Sequence, residues 1–216
     1  LSSSSAASDV YKRQSQWAEV ARQRGVAVLY RNLQFDIEAV IAADPDLLVV
    51  SATGADSVVA HRSELQAQGL ETLVVDYSNQ SWQDIATALG QRTGLEQQAR
   101  AAIQRFDQYT AQTAARITPP PGPVSVVGYN IAGSYSIGRL NSPQARLLGA
   151  LGFKVAELPE ALAGKVTRAS DFQFISRENL PAAITGDSVF LLSATDGDVQ
   201  ALSLIHISEP TRLLSI

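Results

Sequence analysis

The sequence predicts an α/β protein: two successive units of mainly parallel sheet, separated by one long helix. Three observations predict it. Continuous apolar runs of strand length, "DLLVVS" (46–51), "ETLVVDY" (71–77) and "SVFLLS" (188–193), have the character of strands buried on both faces. Stretches with helical periodicity alternate with them. An unbroken helical pattern over 95–117 runs into "TPPPGP", after which the strand–helix alternation starts again.

In chain order, "QWAEVARQR" (16–24) reads as a short helix stopped by Gly25, and "VAVLY" (26–30) as the strand that follows. "FDIEAVIAA" (35–43) is a helix with Ile37, Val40 and Ile41 on one side, leading into the strand at 46–51. A helix over about 56–68 and the strand at 71–77 complete the first unit. Ser81 is placed to cap a helix beginning "WQDIATALGQR", with Asp84 as its capping-box partner and Thr93-Gly94 as its stop. In the long helix Ala99, Ile103, Phe106, Thr110, Thr113 and Ile117 recur every three or four residues, which predicts one buried stripe about 34 Å long. The second unit then reads as a strand "VSVVGY" (124–129), a glycine-bearing loop (130–139), a helix (142–153) and a short strand "KVAEL". A helix "RENLPAAI" after Ser176 and the strand at 188–193 follow.

A chain of 216 residues with 45% hydrophobic and 18% charged residues has the makings of a real core. Its net charge of −4 offers no basic face for nucleic acid. Lysine occurs only at Lys12, Lys154 and Lys165; the remaining basic charge is arginine, which suits planar, bidentate recognition of anions. With no cysteine, disulfides, thiolate metal sites and cysteine nucleophiles are excluded. No apolar run of ~18 residues exists to span a membrane, and no signal peptide is visible. The two ends, 1–14 ("LSSSSAASDVYKRQ") and 203–216 ("SLIHISEPTRLLSI"), lack periodicity and turn logic and read as non-native, adapter-derived sequence. His206, one of two histidines, then takes no part in any mechanism.

No recognised catalytic pattern is present. "SATGADS" (51–57) lacks the glycine and lysine spacing of a phosphate loop, and no G-x-S-x-G elbow occurs. No histidine–carboxylate set has metal-ligand spacing, and His61 in "VVAHRSEL" reads as a surface histidine. The expectation is therefore no catalytic residues and no protein-bound metal. What remains is a set of polar and aromatic residues at strand ends, where open parallel sheets bind ligands. Tyr30 and Arg31 follow one strand, Ser51 and Thr53 the next, and Tyr129 and Asn130 the strand after the long helix; Tyr135 and Arg139 lie in the following loop. Hydroxyls, aromatic faces and guanidiniums together suit a large, partly aromatic anion.

"FDIEAVIAADPDLLVVSATG", "SWQDIATALGQRTGLEQQARAAIQRFDQY", "VVGYNIAGSYSIGRLNSPQARLLGALGF" and "FQFISRENL" resemble the periplasmic siderophore-binding proteins of ABC importers, the ferric-enterobactin type above all. The resemblance covers about 16–202. It implies two Rossmann-like lobes joined by a long rigid interlobe helix, the class III periplasmic binding protein arrangement, here incomplete. The expected divisions are a partial N-terminal lobe (15–94), the interlobe helix (95–118) and a truncated C-terminal lobe (119–202). The signal peptide, the first N-lobe strand and much of the C-lobe are expected to be missing.

The implied ligand is a ferric catecholate siderophore held in a cleft between the lobes, with "SATG" along one wall. Arg31 and Arg139 would offset its charge, Tyr129 and Tyr135 would pack on its rings, and Arg177 would be a further contact. Arg139 stands where the closest members would carry an aromatic residue. Glu38 and Glu178 match the positions, one on each lobe, that dock on arginines of the membrane permease. The resemblance further implies iron carried only as the siderophore chelate, no intrinsic cofactor, and a monomer peripheral to the inner membrane. Its place would be the periplasm, soluble or lipid-anchored. A haem- or cobalamin-binding relative, and a doubly wound α/β enzyme such as a transferase, are the alternatives.

Overall fold

A computed structural model describes residues 18–29, 35–53, 57–129, 135–164, 170–192 and 212–215, the last four and Tyr129 by their backbone alone. The chain divides into two compact units, Leu1–Tyr77 and Ser78–Ile216.

The first unit opens with a helix (α1, described over 18–23) that stops at Gly25, whose φ of +64° favours glycine. The strand expected at 26–30 does not form over 26–29. Val28 is 54% exposed, and this segment pairs with no described strand. Helix α2 (Ile37–Ala42) is capped by Asp36, whose side chain accepts from the Ala39 N–H at 3.0 Å, and it buries Val40. Strands β1 (Leu48–Ser51) and β2 (Thr72–Val75) pair in parallel, with Val50 opposite Val74. Between them lie a 3₁₀ turn (Val59–His61) and α3 (Arg62–Ala67). The core gathers Val40, Val50, Val58 and Leu65, flanked by Leu29, Phe35, Ile37 and Val74. Burial on both faces of β1 is not found along its whole length: Val49 is 46% exposed, because the hydrophobic core lies on the face of Leu48 and Val50, although Ser51 at the strand's end is buried.

In the second unit Ser81 and Asp84 form the expected capping box at the start of α4 (Trp82–Thr93), and Gly94 ends it in the left-handed region at φ +68°. Helix α5 (Glu96–Ala114) has 19 residues, about 28 Å, and stops short of Ile117. Its stripe is only partly covered. Thr110 is buried, whereas Phe106 stays 37% exposed and meets Trp82 edge-on at 4.8 Å.

The sheet has the order β5-β4-β3-β6-β7, built from β3 (Val124–Tyr129), β4 (Tyr135–Gly138), β5 (Phe172–Ile175), β6 (Ser188–Leu192) and β7 (Arg212–Ser215). Strands β3, β6 and β7 are parallel; β4 and β5 add on antiparallel, so the sheet is mixed. Three strands depart from expectation: β4 lies inside the supposed loop, β5 forms from "FQFI", and β7 forms within the supposedly non-native end. "KVAEL" contributes only a single bridge, Val155 to Val124. Helix α6 (Pro143–Ala150) starts with Ser142 accepting from the Ala145 N–H at 3.1 Å. A 3₁₀ turn (Arg177–Asn179) leads into α7 (Leu180–Ala183). One face of the sheet buries Val127, Tyr135, Ile137, Ile175, Val189 and Leu191 against Leu180 and Ala183 of α7. The other buries Val124, Val126 and Phe190 against Leu148 of α6.

Candidate functional site

In the first unit the candidate residues gather at the end of β1. Ser51 is buried, and its hydroxyl donates to the Thr53 carbonyl and accepts from the Thr53 N–H at 3.2 Å. The Tyr77 hydroxyl donates to the same carbonyl at 3.0 Å, and Ser57 Oγ donates to the Ala52 carbonyl at 3.2 Å. The "SAT" turn is thus tied by its own serine and by two residues later in the chain. Thr53 Oγ1, a potential donor and acceptor at the strand's carboxyl end, is buried and has no hydrogen-bond partner among the described residues. Tyr30 and Arg31 lie outside the described residues. His61 is exposed, with its ring 5.1 Å from that of Phe35.

In the second unit β4 separates residues that the sequence places in one loop. Tyr135 pairs with Tyr129 at the end of β3, and β4 then carries the chain back, leaving Arg139 about 13 Å farther along the strand direction. Tyr135 is not a loop aromatic: it is 5% exposed and packed in the core with Val127 and Ile175, because both neighbouring strands bring apolar residues to its face. Asn130 lies outside the described residues. Arg139 is half-buried; its N–H donates to the Asp171 carbonyl at 2.8 Å and its carbonyl accepts from the Ser142 N–H at 2.9 Å. Arg177 and Glu178 are exposed on the 3₁₀ turn before α7, and Glu38 is exposed in the first turn of α2.

Sequence reasoning missed a polar cluster beside Arg139. Asn141 Nδ2 donates to the Ser78 carbonyl (3.2 Å) and to Ser170 Oγ (3.4 Å); Ser170 Oγ donates to Asn79 Oδ1 (2.7 Å). Arg146 donates to the Asn79 carbonyl at 3.0 Å. Its only trace in the sequence is three short polar stretches, "YSNQS", "RLNS" and "RASD", far apart in the chain.

Among the described residues no group of three His, Cys, Asp or Glu side chains could hold a metal ion, and no helix is long and apolar enough to cross a membrane.

The comparisons with known proteins agree with this architecture. The family model described as periplasmic binding protein matches residues 6–200. The chain is 36% identical over 190 residues to the ferric enterobactin-binding periplasmic protein FepB of Escherichia coli O6:H1 (strain CFT073), spanning 87% of this chain and 59% of that protein. Among solved structures, holo-ViuP matches with a TM-score of 0.82 at 34% identity, over 93% of this chain and 69% of that one. FhuD2 from Staphylococcus aureus with bound ferrioxamine B matches with a TM-score of 0.65 over 97% of this chain and 77% of its own, and at 19% identity it speaks for the fold alone. The fold is that of the class III periplasmic binding proteins, and the chain belongs to the periplasmic binding protein family.

Proposed function

We propose that this chain serves as a periplasmic solute-binding protein that captures a ferric catecholate siderophore and delivers it to the permease of an ABC importer. The observation that carries this reading is the 36% identity to a ferric enterobactin-binding periplasmic protein, sustained over 190 residues. The protein acts by binding and release, without catalysis. Iron arrives as the siderophore chelate, the siderophore supplies the iron's ligands, and no intrinsic cofactor is needed. The working place is the periplasm, as a monomer at the inner membrane's outer face.

A ferric tris-catecholate is a bulky trianion with aromatic edges, so its recognition calls for guanidinium charge, hydroxyl donors and ring contacts. We assign the charge to Arg31 and Arg139, with Arg177 as a further contact. Hydroxyl contacts fall to Ser51 and Thr53, the latter supported by its unpartnered buried Oγ1. Tyr30, Tyr129 and Asn130 take the ring and edge contacts. Tyr135, packed in the sheet core, contributes by holding β4 in place.

The test is a tryptophan-fluorescence titration of the folded chain with ferric enterobactin, iron-free enterobactin and haem. Trp17 and Trp82 are the reporters, and free tryptophan corrects for inner-filter loss. Saturable quenching by the ferric complex alone is the expected result. Quenching by haem instead, or indifference to all three ligands in a chain shown by circular dichroism to be folded, overturns the siderophore reading.

A further inference from the structure

The first residues of the second unit are anchored more firmly than a connecting segment requires. Ser78 is only 1% exposed although it follows directly on Tyr77, where the first unit ends. Its carbonyl takes a hydrogen bond from Asn141, its neighbour's carbonyl takes one from Arg146, and Ser170 closes the cluster by donating to Asn79 Oδ1. The donors run in one consistent direction: both hydrogens of the Asn141 amide are used, one on Ser78 and one on Ser170.

Asn141 also belongs to the turn that presents Arg139. That turn is closed by the Ser142 N–H on the Arg139 carbonyl and is fastened to Asp171, the residue after Ser170, by the Arg139 N–H. Ser142 is completely buried and caps α6, so the far end of the turn is fixed as well. Of the turn's side chains, Asn141 is the one seen to bond the Ser78 backbone directly.

We infer that Asn141 is a positioning residue: it holds the Ser78–Asn79 segment and the Arg139 turn as one piece, and through that turn it sets the guanidinium of Arg139 toward an anionic ligand. The ligand half of this inference rests on the siderophore reading; the anchoring half does not.

The experiment compares the full chain with Asn141→Ala, Ser170→Ala and the hydroxyl-conserving Ser170→Thr. Without ligand, amide hydrogen exchange in Asn141→Ala should lose protection at Arg139 and Ser142 together with the 78–79 segment, while β3 and β6 keep theirs. Ser170→Ala should weaken the same two segments, and Ser170→Thr should restore them. Affinity for ferric enterobactin should fall about fivefold to tenfold in Asn141→Ala, the size of a lost hydrogen bond. In an Arg139→Ala background the same substitution should cost nothing further.

Unchanged protection at 139–142, or losses that simply add in the double variant, overturn the inference. If Asn141→Ala does not fold, Ser170→Ala reads the same two segments. A wild-type chain that ignores ferric enterobactin overturns the siderophore reading, and the exchange result then decides the anchor by itself.

Discussion

Asp84 accepts from the Ser81 N–H at 2.9 Å and from the Ser81 hydroxyl at 2.6 Å, while Ser81 Oγ accepts from the Asp84 N–H at 3.1 Å. These bonds favour the ionised carboxylate. The Ser81 hydroxyl, then the Ser81 backbone, and last the charge of Arg146 hold its pKa below the ordinary 3.8, against a small opposing effect of burial. A depressed carboxylate contributes stability that is present above the unfolded-state pKa and is lost as pH falls through the folded one. Asp84→Asn should therefore lower the thermal midpoint at neutral pH, and the gap to wild type should close as the pH is taken well below 3.8. Melts across that range check it, and a gap independent of pH would show that the charge does nothing here. Ser81, Asp84 and Gly94 are legible in the sequence because a cap is chemistry between residues three or four apart. Tyr135 and Asn141 are not. Whether the tyrosine of "SYSIG" faces ligand or core is decided by β3 and β5 on either side of it, and Asn141 meets partners 63 and 29 residues away.

Helices α4 and α5 meet at a glycine. A Cβ on Gly90 would lie 2.8 Å from Ala99 Cβ and 3.2 Å from the Leu95 carbonyl oxygen, closer than backbone-anchored atoms tolerate. In an open helix Gly→Ala gains about 1 kcal/mol of propensity. Here the overpacking, typically about 1–3 kcal/mol, outweighs that gain. Gly90→Ala should accordingly lower stability by about 1 kcal/mol in urea unfolding, with an unchanged m-value. A stabilised variant would mean that the crossing has slack. The same pair of helices marks where pattern reading stops. Periodicity finds both helices and their junction at Thr93-Gly94, yet it overstates the buried stripe, since it records which residues share a face and not what covers them. Strand β4 escapes notice for a related reason. Its four residues, Tyr-Ser-Ile-Gly, are too short an alternation to stand out beside glycines, and they are buried because β3 and β5 flank them and α7 packs on the face of Tyr135 and Ile137.

For the molecule as a whole, the α/β class follows from the sequence, because apolar runs and helical periods are local; the division after Tyr77, which puts α4 and α5 with the second unit, differs from the expected lobe boundary at 94. The antiparallel edge of the second sheet does not follow, because pairing direction is set by where distant strands meet. The proposed delivery of a ligand to a permease would likewise be a property of the whole molecule, and the proposed docking carboxylates fall one in each unit, Glu38 in the first and Glu178 in the second. A purely local account exists for Glu38: an exposed glutamate in the first turn of a helix gains about 0.3–1 kcal/mol from the helix dipole. The two accounts differ in scale. If Glu38 serves only α2, reversing its charge lowers the melting temperature slightly and leaves transport intact. If both glutamates dock on permease arginines, Glu38→Arg with Glu178→Arg should abolish ferric siderophore uptake in cells that depend on this protein, with an unchanged Kd for the ferric complex. Each single reversal should fall between wild type and the double variant, since one of the two contacts survives. Undiminished uptake in the double variant, or a parallel loss of affinity, would remove both residues from the permease interface.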